Sequence, residues 1–241
     1  IPTLNDELRP YSKKIYHALK WFFTKNGPLS ISINQAGAFI KSNKHVDRPD
    51  LQIYFLPLTS IETGKVGNLS VSPDSFSGLT IACSLCRPKS TGQIKIKSNN
   101  PLDMTKIYPN SFADSDDLNL MLEGLKICRT LASKKPLSDY IKKPIGPHAQ
   151  KISDNELINY IKNYAKTTYH PVGTCSMGTD EKKHVVDYNL KVFGIKNLRV
   201  ADASIMPKII SGNTNAASFM IGEKASDLIK KDNMGDKYEN Y

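Results

Sequence analysis

Tryptophan is almost missing from this 241-residue chain, which has one, and cysteine is scarce at four. Cys83, Cys86, Cys128 and Cys175 are too few to frame a chain of this size with disulfides, so reduced thiols of an intracellular protein are expected. Arginine is also sparse. It supplies 5 of the 33 basic residues, the other 28 being lysine, against 23 acidic residues and a net charge of +10. Arginine is the side chain of bidentate phosphate and guanine recognition, and the lysines are scattered in pairs without interleaved aromatics. A nucleic-acid partner is therefore not expected, and the charge reads as a solvated lysine-rich surface.

No apolar run reaches the roughly 18 residues of a membrane span, since Ile15 to Phe23 is interrupted by His17 and Lys20. A cytoplasmic protein is expected, or one peripheral at the inner face of a membrane. Neither an internal repeat nor a low-complexity tract is present. Fourteen glycines contain no G-x-G-x-x-G, so the chain has no dinucleotide fingerprint of its own. Gly173 to Gly178 has the outer glycines of a phosphate loop, but Thr179-Asp180 follows where Lys-Ser/Thr is needed. Cys83-Ser-Leu-Cys86 has metal-ligand spacing, yet positions i and i+3 of a strand face opposite ways and no second pair completes four ligands. No metal is expected. The chain starts at Ile1 without a methionine or signal pattern, which points to a processed product or a fragment.

What remains is globular: 39% hydrophobic and 23% charged residues imply a packed core. Ile15, Ala18, Leu19, Phe22 and Phe23 lie at helical spacing over residues 11–26, and Asn26-Gly27-Pro28 ends the pattern. Leu51–Leu58, Leu79–Cys86 and Gln93–Lys97 read as strands. Leu118, Met121, Leu122, Leu125 and Cys128 mark a second helix. Ser153 and Glu156 make a capping box for a third, with Leu157, Tyr160, Ile161 and Tyr164 as its buried face. From about Thr167 the chain turns to glycine and polar loops, with a strand candidate at Leu198–Val200 and a last helix over 215–230.

Three polar clusters fall in that last stretch. His170 follows Tyr169 and precedes a glycine turn; a lone histidine is more often a structural residue than a catalyst. Asp202-Ala203-Ser204 closes the strand candidate, where α/β sheets place ligand contacts. Asn213-Thr214-Asn215 precedes the last helix, as an N-cap or as a site offering helix amides to an electron-rich oxygen.

These residues also carry a family resemblance. The run from Tyr169 through Gly178, then Val186-Asp187, Gly194 through Pro207, Ser211 through Ala216 and Met220 through Lys224 resembles the carboxy-terminal signature of the glucose-methanol-choline (GMC) oxidoreductases. Upstream, Asn26-Gly27-Pro28-Leu29, Arg48 through Gln52, Arg87 through Gly92 and Asn100-Pro101-Leu102 are similar to that family's substrate domain. Within the family the likeness is to choline dehydrogenases and related flavin alcohol dehydrogenases.

The resemblance implies an FAD enzyme oxidising a small alcohol by hydride transfer to flavin N5. His170 falls at the position of the base and Asn213 at that of its partner. Thr214 and Asn215 would face the flavin pyrimidine end, and Asp202 and Ala203 the ribityl and pyrophosphate portion. Tyr169 would wall the substrate pocket or simply pack. A complete member opens with the strand–glycine turn–helix that grips ADP, absent here. The resemblance thus implies a carboxy-terminal portion, inactive without its amino-terminal FAD-binding half as partner; the electron acceptor, oxygen or quinone-like, and any membrane association stay open. The expected fold is α+β. Residues 1–30 form a helix and connection from the FAD domain, 31–166 an antiparallel-sheet substrate domain, 167–231 the last strand and helix of the FAD-binding α/β domain, and 232–241 a polar tail. A non-catalytic binding protein that kept the substrate domain is the alternative.

Overall fold

A computed structural model describes residues 1–60, 73–145 and 152–234. The chain divides into two compact units, Ile1–Leu85 with Asn119–Asn163, and Cys86–Leu118 with Tyr164–Tyr241.

The first unit opens with α1 (Leu4–Leu8) and α2 (Tyr11–Thr24). Thr3 and Asp6 form a reciprocal cap at the start of α1. Asn5, 1% exposed, ties the helix down: its amide donates to Thr59 O at 2.9 Å and Asp74 O at 3.3 Å and accepts from Thr59 N at 2.9 Å. α2 stops at Lys25, whose φ of 56° is left-handed, just ahead of Gly27 and Pro28. The helix is as expected, but the face is not. Ile15, Leu19, Phe22 and Phe23 are exposed, and the buried residue of α2 is His17, which meets Glu7 Oε2 at 3.0 Å.

A three-stranded antiparallel sheet follows, β1 (Ala36–Ile40), β2 (Leu51–Leu56) and β3 (Thr80–Leu85), with β2 central. Leu51 and Ile53 alternate inward on β2. Against that face lies α3 (Ser115–Ala132), which buries Leu122 and Cys128. Contact is close at Gly124, where an added Cβ would sit 2.8 Å from Cys83 Sγ and 3.2 Å from Leu51 Cδ2. α4 (Asp154–Tyr164) starts at the expected box: Ser153 N donates to Glu156 Oε2 at 2.7 Å, and Glu156 N to Ser153 Oγ at 3.3 Å. Leu157 and Ile161 are buried there, while Tyr164, expected on the same face, is exposed.

The second unit contains the β4 (Gln93–Lys95) and β5 (Lys106–Tyr108) ladder and the final helix α5 (Asn215–Met234). Its core is Val186, Leu190, Ile205, Met206, Ile221 and Ala225. Ile221 and Ala225 sit four apart on α5, so one stripe of the helix is seated on the loops. The strand expected at Leu198–Val200 is reduced to a single bridge, Lys191↔Arg199, with Val192 N on Leu198 O and Val200 N on Leu190 O. It pairs on that one flank, next to left-handed Asn197 and Gly194, which is too little for a strand. The polar tail expected from 232 begins as helix, since α5 runs to Met234 and Asp232 pairs with Lys191 at 2.7 Å and with Arg199. Residues 235–241 lie outside the described ones. No described helix is long and apolar enough to cross a membrane.

Candidate active site

All the sequence-derived candidates lie in the second unit. His170 stands between Tyr169, with a left-handed φ of 62°, and Pro171, whose ring fixes its own φ and restricts the residue before it. A non-glycine residue at positive φ is a local strain that the surrounding structure must hold. The turn after it needs Gly173: φ is 88°, and a Cβ there would lie 3.3 Å from Met206 O. Beyond it, Cys175 N donates to Ser204 O at 3.0 Å and Met177 N to Ile205 O at 2.8 Å. The His170 loop is thereby joined to the turn at Asp202.

Asn213 reaches the same imidazole. Its Nδ2 lies 2.8 Å from His170 Nε2, and Thr214 Oγ1 lies 2.9 Å from His170 Nδ1. Two consecutive residues thus hold the two ring nitrogens, across 43 and 44 positions of sequence. Thr214 is buried and Asn213 exposed, so the ring is fixed from inside while its Nε2 side faces outward. Arg87 Nη1 donates to Ser211 Oγ at 2.7 Å and so anchors the loop that carries Asn213.

Asp202 caps a 3₁₀ turn, Ala203–Ile205, by accepting from Ser204 N at 2.8 Å. The Ser204 hydroxyl and then its amide hold this carboxyl below the usual aspartate range. Asn215 and Ala216 are exposed at the start of the twenty-residue α5. The first amides of a helix lack intrahelical acceptors and carry partial positive charge, so this end suits an electron-rich ring edge or an anion. Tyr169 is 69% exposed, its amide bound to Thr167 Oγ1 at 3.0 Å. No described group of three His, Cys, Asp or Glu side chains is arranged to hold a metal ion. In the first unit, the hydrogen bond to Cys128, with burial, pushes the Cys83 thiol far up, away from a ligating thiolate.

The expected pair His170 and Asn213 therefore meets directly, and Asp202, Ala203 and Asn215 lie on the connected turns. Two contacts go beyond the sequence expectation. Thr214 is expected to face cofactor, and its hydroxyl lies on His170; Arg87 stands out in sequence only as part of a family-like segment. A Thr just before a helix reads as a cap, and no local pattern pairs Arg87 with a serine 124 residues away.

The arrangement sets an imidazole beside a carboxamide, close to the first turn of a long helix. A family model described as GMC oxidoreductase matches residues 88–222. An alcohol dehydrogenase [acceptor] of Pseudomonas putida is 40% identical over 209 residues, covering 87% of this chain and 37% of that protein. The mitochondrial choline dehydrogenase of Mus musculus is 34% identical over 229 residues, covering 95% of this chain and 37% of its own length. Among solved structures, formate oxidase from Aspergillus oryzae RIB40, described in terms of FAD modification, superposes with a TM-score of 0.82 at 24% identity, over 95% of this chain and 44% of that one. The chain belongs to the GMC oxidoreductase family. It spans well under half the length of the relatives it matches.

Proposed function

We propose that this chain carries the proton-handling side of an FAD-dependent dehydrogenase that oxidises a small alcohol to an aldehyde or ketone. The observation that supports it most directly is the 2.8 Å approach of Asn213 Nδ2 to His170 Nε2 on the exposed side of the ring. An alcohol oxygen that displaces this direct contact would meet one acceptor, His170 Nε2, and one donor, Asn213 Nδ2. His170 Nε2 accepts the hydroxyl proton as the carbonyl forms, a role a neutral imidazole fills near neutral pH. Asn213 Nδ2 donates to the same oxygen while negative charge builds on it, and cannot compete for the proton. FAD, when bound, supplies the acceptor for the hydride leaving the alcohol carbon.

For that cofactor the fit rests on the exposed first residues of α5, Asn215 and Ala216. Thr214, Asn215 and the following amides lie where an electron-rich pyrimidine edge would be favoured, and Asp202 and Ala203 would line the ribityl and pyrophosphate portion. Tyr169 would wall the substrate pocket. The 241 residues hold no strand–G-x-G-x-x-G–helix unit, so the ADP half of FAD would be gripped by a further, amino-terminal portion. Choline is one such alcohol, being the substrate named for several relatives.

Replacing His170 with Ala in the FAD-loaded full-length enzyme should lower turnover by about 10² or more. Unchanged turnover would overturn the assignment of the base, whereas an FAD-loaded full-length protein that oxidises no alcohol at all would favour a binding protein without catalysis. Flavin absorbance after gel filtration of these 241 residues with FAD checks the division of the cofactor site. Weak, substoichiometric retention is expected, and tight one-to-one binding would refute it.

A further inference from the structure

We infer that Thr214 is a positioning residue: its hydroxyl accepts from His170 Nδ1–H, and so commits the ring to the tautomer whose Nε2 is free to take a proton. The inference rests on the role proposed for His170 and adds what makes that role possible.

Donor and acceptor inventories decide the tautomer. The Asn213 Nδ2 group only donates, so at 2.8 Å it requires a lone pair on His170 Nε2. A neutral ring with bare Nε2 carries its proton on Nδ1. Nδ1–H then needs an acceptor, and Thr214 Oγ1 is 2.9 Å away. The hydroxyl is well placed to be selective. Thr214 is 8% exposed while Asn213 and Asn215 on either side are exposed, and a buried hydroxyl needs a hydrogen-bond partner.

Its mounting is stiff as well. Thr214 O accepts from Ser218 N and Ser218 Oγ, both at 2.9 Å, which fixes the backbone in the first turn of α5. That helix is in turn seated through Ile221 and Ala225. When Nε2 takes the proton the ring becomes a cation, and its Nδ1–H bond to Thr214 becomes charge-assisted and stronger. Thr214 thus acts twice, by selecting the receptive tautomer before the step and by steadying the imidazolium after it. The same logic operates where an outer partner of a histidine sets which nitrogen is available. With the Asn213 amide turned the other way the ring would carry Nε2–H and the hydroxyl would donate, which is the opposing outcome of the test.

Label the histidines of the 241-residue chain with ¹⁵N and read the His170 ring at neutral pH, where protonated and bare nitrogens give distinct shifts. A bare Nε2 and a protonated Nδ1 are expected, with Thr214→Val, which keeps the shape and removes the hydroxyl, giving a mixture of tautomers. In the FAD-loaded full-length enzyme the same change should lower kcat about 10- to 100-fold with KM and flavin content little changed. Thr214→Ser, which keeps the oxygen, should restore kcat to within about threefold. A wild-type ring protonated on Nε2, or a Val variant with unchanged tautomer and kcat, overturns the inference. If the Val variant does not fold, the wild-type ring and the Ser variant decide the matter. An enzyme that oxidises no alcohol while its ring shows the expected tautomer overturns the functional reading and leaves the positioning intact.

Discussion

Replacing Asn213 with Ala removes the donor that the structure aims at His170 Nε2, and with it the donor proposed for the substrate oxygen. Asn213 is exposed, so truncation leaves no buried group unpaired in the fold, and the stability change should stay within about 0.5 kcal/mol. The kinetic cost is another matter. Loss of one preorganised donor to a developing oxyanion costs about 10² to 10³ in kcat. Because the site is open on the Asn213 side, the lower end applies: about 10², or roughly 2.7 kcal/mol at about 1.36 kcal/mol per decade. The assay is single-turnover bleaching of the flavin by saturating alcohol in the FAD-loaded full-length enzyme, with flavin content measured for every variant. Asn213→His, which keeps a ring N–H donor, should stay within about tenfold of wild type. The double change His170→Ala with Asn213→Ala should cost little more than His170→Ala alone, since residues acting on one proton transfer are strongly non-additive. An Asn213→Ala enzyme with full flavin and turnover within threefold of wild type would refute the proposed donor role.

Other consequences are simpler to read. Leu157 is 1% exposed on α4, and Leu157→Ala should cost about 3 kcal/mol in urea unfolding, a loss under about 1 kcal/mol contradicting its place in the core. Gly92→Ala would put a Cβ 2.3 Å from Tyr108 O and 2.7 Å from Pro109 O; backbone must move, and amide protection in the β4–β5 ladder should fall while protection in β2 is kept. The Asp202 carboxyl is held below its ordinary value, so its contribution to the 203–205 turn is present above the unfolded value, about 3.9, and is lost as pH falls through the lower folded value. Asp202→Asn should remove that acid-side dependence of amide exchange at Ser204 and leave neutral-pH exchange nearly as it was; an unchanged acid profile would contradict the cap.

Much of the fold is legible because its signals are local. The capping box at Ser153 and Glu156 is four residues long, and the stop before Pro28 joins the left-handed Lys25 to Gly27, whose φ of 102° glycine adopts readily. Periodicity is also local, which is why the helices appear where their apolar spacing puts them. It says that α2 has an apolar stripe; it does not say what lies against it. The stripe through Ile15, Leu19, Phe22 and Phe23 faces outward, and the helix is held instead through His17 and Glu7. Leu198–Val200 fails for the related reason that a strand is a property of its neighbours. Three residues with a single bridged flank do not make one.

The site divides along the same line. The clusters at His170 and at Asn213–Asn215 stand out because each sits at a turn or helix start, but the pairing of His170 with Asn213 is legible only through the family resemblance. Thr214 could not be separated from an ordinary cap, since the hydroxyl that would accept a helix amide is the same atom that meets Nδ1. Only the fold decides which partner it takes. The decision has a consequence for the helix as well: a hydroxyl turned to His170 is directed to the ring rather than to a helix amide, while Asn215 and Ala216 stay exposed at the start of α5. One residue at the junction thereby holds His170 Nδ1 on its buried side while the first residues of the helix stay exposed. The two polar clusters that look separate in sequence, at 170 and at 213–215, therefore form one device.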